Sequence, residues 1–198
     1  MRLLGLAVTA VLCCAAAAGP DVDKGKILGA PNAPIRIDVF SDFACPACKN
    51  FHEQTLPLII QEYVTAGKAY VVNREFPLNI PEHKYSREAA NYAAAAARLG
   101  IYQPVADVLF RNQMAWSASG KVWDTVASVL SPEQQKKVQA LAKDPAVIAE
   151  VQRDVDAGTK ERVSSTPTIF VTHGTQHFPI AYPVNYGFLR SLLNGYLK

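Results

Sequence analysis

A chain of 198 residues fits one domain, or one domain carrying an insertion. Lys and Arg number 20 against 17 Asp and Glu, so the net charge is only +3; that balance argues against a nucleic-acid partner. With 49% hydrophobic and 19% charged residues, disorder is excluded and a sizeable core is possible.

The N-terminus reads as an export signal. Met1-Arg2 is a basic start, Leu3 to Leu12 is apolar apart from Gly5 and Thr9, and Ala15 to Ala18 supplies small residues before Gly19-Pro20. That is the three-part pattern of a secretory signal peptide over residues 1–20, with cleavage after Ala18. The apolar stretch is short for a membrane span. A lipid on Cys13 or Cys14 is the lesser alternative, because the residues before them are bulky. Cleavage predicts a periplasmic or extracellular protein and leaves Cys45 and Cys48 as its only cysteines. Disulfides persist in those compartments. The pair would close a tiny loop, too short to be a useful staple, since cross-link stabilisation grows with loop length. It therefore reads as chemistry rather than scaffolding.

Asp21 to Pro34 is a polar lead-in. Ile35 to Phe40 is rich in β-branched residues and predicts a strand. Ser41-Asp42-Phe43-Ala44 turns the chain, and a helix starts near Cys45 and runs towards Ala66, with Gly67 as its stop and Pro57 as a kink or interruption. Lys68 to Phe76 is a second strand. From about Glu82 to Arg162 the pattern is helical. Ser86 to Leu99 is Ala-rich, Pro104 to Gln113 and Lys121 to Leu130 follow, Ser131-Pro132-Glu133-Gln134 is a capping box, and Asp144-Pro145 opens a last helix. Thr168 to Thr172 and Gln176 to Ile180 flank His173-Gly174-Thr175 as a hairpin, and Tyr186 to Leu197 closes as an amphipathic helix. The expected sheet has four strands with helices on both faces.

Cys45-Pro46-Ala47-Cys48 lies where a strand gives way to a helix. A thiolate there faces unpaired backbone N–H groups and the positive end of the helix dipole, which lowers the thiol pKa. A low-pKa thiol is a ready nucleophile and a good leaving group in disulfide exchange. Position predicts Cys45 as the exposed nucleophile and Cys48, one turn in, as the shielded resolving thiol. Two alternatives compete. A C-x-x-C pair is half of a zinc site, with only His52 nearby and His83, His173 and His177 scattered; or the pair is an inert disulfide. On the strand, Arg36, Asp38 and Phe40 share one face, so Asp38 is at least partly buried.

Phe40-Ser41-Asp42-Phe43-Ala44-Cys45-Pro46-Ala47-Cys48, followed far downstream by Ser165-Thr166-Pro167-Thr168, resembles the DsbA-like branch of the thioredoxin superfamily. The resemblance spans roughly Ile27 to Lys198. It implies an α/β thioredoxin-like fold, β-α-β … β-β-α, with a thioredoxin-like domain at 21–78 and 164–198 and an all-helical insertion at 79–163. It implies a cis Pro167 beside the dithiol, a Thr166 backbone that pairs with extended substrate, and a Thr166 hydroxyl able to donate to Cys45. It also offers Asp38 two roles, a proton relay beneath the dithiol or a plain ion pair with a nearby Lys or Arg. His83 is expected to be structural or capping, His52 a solvated helix residue, and Trp116 and Trp123 helical packing. Many strongly oxidising relatives carry His where this chain has Ala47, so a milder oxidant is expected. Too few residues precede the first strand for a dimerisation domain, which favours a monomer. The implied activity is thiol:disulfide exchange without a cofactor. The protein would oxidise reduced or misoxidised exported proteins, with a membrane redox partner for recycling. The rival readings are a reductase or isomerase kept reduced, and a non-enzymatic binding protein with an inert disulfide.

Overall fold

A computed structural model describes residues 22–198; the predicted signal peptide lies outside the described residues. The described residues form a five-stranded sheet in the order β1-β3-β2-β4-β5. β2 (Ile35–Ser41) and β3 (Ala69–Glu75) are parallel, in register from Ile35 opposite Ala69 to Ser41 opposite Glu75. β4 (Thr168–His173) runs antiparallel to β2 on its other side, and β5 (Gln176–Ala181) completes the hairpin. The fifth strand corrects the expectation of four. β1 (Ile27–Leu28) lies in the stretch read as a lead-in and pairs antiparallel with β3. Two residues leave too little alternation for a strand pattern to show.

Parallel neighbours need a crossover, and a helical run supplies it. It comprises α1 (Pro46–Asn50), a π-helical stretch (Phe51–Thr55), α2 (Leu56–Ile59) and a second π-helical stretch (Ile60–Val64). The first π-helical stretch ends just before Pro57. A proline lacks the N–H that an unbroken helix would use, so the chain widens a turn there instead of breaking. Gly67, at φ +66°, ends the run.

Seven further α-helices follow among the described residues. The insertion holds α3 (Ser86–Ala97), α4 (Tyr102–Arg111), α5 (Gln113–Ser119), α6 (Val122–Ala127), α7 (Pro132–Leu141) and α8 (Pro145–Lys160). α9 (Tyr186–Tyr196) follows the hairpin. The sequence pattern merges α4 with the start of α5 and gives α5 no signal of its own. Ser131 and Gln134 form the expected capping box. The alanines of α3 are buried on nearly all sides, and their small side chains let the other helices of the insertion close around it.

Ile35, Ile37 and Val39 point to one face of the sheet and pack against Phe51, Leu56 and Ile59 of the helical run and Leu189 and Leu193 of α9. Phe40, Phe76 and Phe170 form a second contact layer on the opposite face. There α8 approaches so closely that a Cβ on Gly158 would lie 2.5 Å from the Phe76 ring. Beside this layer sits a buried ionic network. Lys26, fully buried, meets Asp154, with Glu75 at 3.8 Å and Glu150 at 3.9 Å. Burial alone would lower the Lys26 pKa, but these carboxylates outweigh it and hold it above its ordinary value. Burial pushes Glu75 up to about 7, and it accepts a 2.8 Å hydrogen bond from the Tyr102 hydroxyl.

Candidate active site

The dithiol sits at the C-terminal end of β2, where the chain leaves the sheet and enters the helical run. Cys45 occupies the N-cap position of α1 with Pro46 at the first helical position, a proline site that sacrifices no hydrogen bond. Both thiols are free. Cys48 has no exposed surface and Cys45 only 7%. The expectation of an exposed nucleophile is therefore corrected: the helix start packs with the buried residues of the insertion, which leaves Cys45 little exposed surface. The difference between the sulfurs keeps the expected direction.

Their chemistry diverges further. Cys45 has its pKa lowered to about 5: the hydrogen bond from the Cys48 thiol is the largest influence, burial opposes it, and the Thr166 side chain and the backbone N–H groups of Cys48 and Ala47 add smaller lowering effects. Burial, followed by the neighbouring Cys45, pushes Cys48 well above the ordinary thiol value. The Asp42 N–H faces the Cys48 sulfur at 3.4 Å.

The Thr166–Pro167 peptide bond is cis, and the loop it shapes lies against the dithiol: the Cys45 thiol donates to the Thr166 carbonyl at 3.3 Å. The Thr166 hydroxyl is buried with no other hydrogen-bond partner and lies near enough to the Cys45 sulfur to favour its thiolate. A second cis bond, Tyr182–Pro183, follows β5.

Asp38 is a correction for the relay role. It is buried, as the alternation of β2 requires, but its carboxylate is taken by Arg36, at 2.6 and 2.8 Å, and by Arg74 at 2.9 Å. It is the ion pair of the second alternative, on the sheet face that carries Phe40 rather than the one that carries Val39. His52 is also corrected. It is not solvated: Nε2 lies 2.7 Å from Asp107 Oδ1 and the ring packs 4.6 Å from that of Phe110. Trp116 and Trp123 pack within the insertion, Trp116 donating to the Leu109 carbonyl.

Asp42 is the residue that sequence reasoning placed in the turn without a role. Its buried carboxylate accepts from the Ala44 N–H at 2.7 Å, the Leu78 N–H at 2.8 Å, His83 Nδ1 at 2.7 Å and the Ser86 hydroxyl. It thus ties the dithiol turn to the chain after β3 and to the start of α3, and His83 is structural as expected. A second tie comes from α4 and α5. Lys49 Nζ donates to the Phe110 carbonyl at 2.9 Å, and Gln113 Nε2 donates to the carbonyls of Phe43, at 2.7 Å, and Cys45, at 2.9 Å. An Asp three residues before a C-x-x-C helix start was a readable signal; the Gln113 contact, from a helix with no pattern, was not.

The thioredoxin family model matches residues 21–182. Disulfide bond formation protein D of Bacillus subtilis is 27% identical over 77% of this chain and 69% of its own length. A Na(+)/H(+) antiporter, NhaA 3, of Salinispora tropica is 30% identical over 80% of this chain, which spans only 23% of the antiporter. Among solved structures, alpha-DsbA1 of Wolbachia pipientis superposes with a TM-score of 0.73 at 18% identity, over 86% of this chain and 89% of that one, a likeness of fold. With a C-x-x-C helix start facing a cis-proline loop on this sheet, the chain belongs to the thioredoxin family.

Proposed function

We propose that the protein is an exported oxidase that passes the Cys45–Cys48 disulfide to the thiols of exported proteins. The observation that carries this reading is the opposite displacement of the two thiols, Cys45 down to about 5 and Cys48 well above its ordinary value. A stabilised Cys45 thiolate stabilises the reduced enzyme, which makes its disulfide the stronger oxidant.

A substrate thiolate attacks the Cys45 sulfur, a mixed disulfide forms, and Cys48 leaves and takes up a proton. A second substrate thiolate attacks the substrate sulfur of that bond, and Cys45 departs as thiolate. The substrate loses two electrons, the enzyme gains them, and a membrane redox partner removes them. The Thr166 backbone beside Cys45 and the bend at Pro167 support docking of an extended substrate segment. Division into a thioredoxin-like part (21–78 and 164–198) and a helical insertion (79–163), export through a cleaved signal at 1–20, and a monomeric state belong to the same proposal. Incubating oxidised enzyme with a reduced, unfolded disulfide-containing protein tests it. The proposal requires stoichiometric transfer of one disulfide, abolished in Cys45→Ser. Transfer that survives Cys45→Ser defeats it.

A further inference from the structure

One buried side chain of the insertion donates directly to backbone carbonyls on both sides of the dithiol turn. Gln113 is only 3% exposed and opens α5. Its carboxamide nitrogen meets two carbonyls, Phe43 at 2.7 Å and Cys45 at 2.9 Å. Carbonyls accept and only the NH₂ end of the amide donates, so these two contacts fix the orientation of the group. The Cys45 carbonyl also accepts the Lys49 N–H at 3.1 Å, the first hydrogen bond of α1. One atom therefore joins the insertion to the start of the helix whose Ala47 and Cys48 N–H groups face the Cys45 sulfur.

We infer that Gln113 is a positioning residue for the redox centre: by clamping the Phe43 and Cys45 carbonyls it holds the helix start in the orientation that aims backbone donors at the Cys45 sulfur. The inference rests on Cys45 being the nucleophile. It makes the helical insertion part of the reactive centre as well as a cover for it. Without the clamp, the Phe43 carbonyl loses its donor and the Cys45 carbonyl keeps only the Lys49 N–H, so the donors at the helix start lose their aim.

The other ionisable groups around the dithiol have partners of their own. Asp42 is held by His83, Lys49 pairs with Glu53, and His52 pairs with Asp107. Cys48 is the resolving thiol itself. None of them contacts the Gln113 amide, so a Gln113 substitution leaves these pairs in place.

The test is the alkylation rate of reduced protein at two pH values, for the native chain and for Gln113→Met, which keeps length and apolar bulk but donates nothing. The native thiolate is half formed at pH about 5. Gln113→Met should slow alkylation of Cys45 at pH 5 by about fivefold, the loss expected for a tenfold weaker acid. At pH 8, where both proteins are ionised, the rates should agree within about twofold. Unchanged rates at pH 5, or an equal loss at both values, would overturn the inference, the second because it reports altered access rather than ionisation. Should Gln113→Met not fold, the native protein decides. Its Gln113 side-chain amide resonances should be protected from exchange and should shift with the Cys45 ionisation midpoint. Fast exchange or no shift would refute the clamp. Alkylation at Cys48 instead of Cys45 in the native protein would signal failure of the underlying nucleophile assignment, a distinct result.

Discussion

Replacing Cys48 with Ala separates the part of the Cys45 ionisation that comes from the buried thiol from the part that comes from the helix start. The Cys48 hydrogen bond is the largest influence lowering Cys45 to about 5. A hydrogen bond to a charged group contributes about 1.5–3 kcal/mol, and about 1.4 kcal/mol corresponds to a tenfold change in acidity. Loss of that donor should move the Cys45 midpoint to about 6–7, since the Ala47 and residue-48 N–H groups and the Thr166 side chain remain. At pH 5 the thiolate would then fall from about half to about 1–10% of the protein, and alkylation would slow by about 5- to 50-fold. At pH 8 the variant stays largely ionised and should react much as the native protein does. The assay is iodoacetamide labelling followed by mass spectrometry between pH 4 and 9, with thiolate absorbance as an independent titration. A midpoint that stays near 5 would assign the ionisation to the helix start alone and refute the leading role of the Cys48 hydrogen bond.

Three further outcomes are expected. Cys48→Ser should accumulate mixed disulfides on Cys45 when incubated with oxidised substrate protein, visible as reducible adducts on non-reducing gels, because the resolving sulfur is gone. Asp42→Ala should destabilise the protein by about 3 kcal/mol or more in urea unfolding, since it leaves the buried Ala44 N–H and Ser86 hydroxyl and the half-buried Leu78 N–H and His83 ring without an acceptor, at about 1–3 kcal/mol for each fully stranded group. Glu75 adds a pH dependence. Burial raises its folded pKa from 4.5 to about 7, so its contribution to stability is complete below about pH 4.5 and is lost as the pH rises through about 7. Glu75→Gln should flatten the decline in unfolding free energy between pH 5 and 8 that the native protein shows.

The fold was legible where the chain obeys strong local rules. Alternation in Ile35 to Phe40, the Ser131 capping box and the Pro145 helix start each follow from propensities that tertiary packing does not oppose. β1 was not legible, because a two-residue strand exists only through its pairing with Val71 and Val72 of β3. The dithiol could be read from its spacing and its place after a strand, and the downstream proline from its resemblance. The groups that position the dithiol were harder to see. Asp38, in the middle of β2, and Asp42, just past its end, are both buried acids; alternation sets the face of Asp38, yet each carboxylate is held by partners from far along the chain, Arg74 for one and His83 and Ser86 for the other. His52 looked like a surface residue until Asp107 and Phe110, from the insertion, covered it. Such contacts depend on which helix packs where, and a single sequence does not carry that pairing.

The reduction potential of the Cys45–Cys48 couple, measured by equilibration with glutathione, tests the central claim most directly. A Cys45 thiolate stabilised to pH about 5, without a histidine at Ala47 to strengthen it further, predicts a disulfide more oxidising than about −200 mV but less so than the strongest oxidants near about −120 mV. A value near about −270 mV, where thioredoxin-type reductants lie, would contradict the oxidase assignment and make the protein a donor of electrons instead.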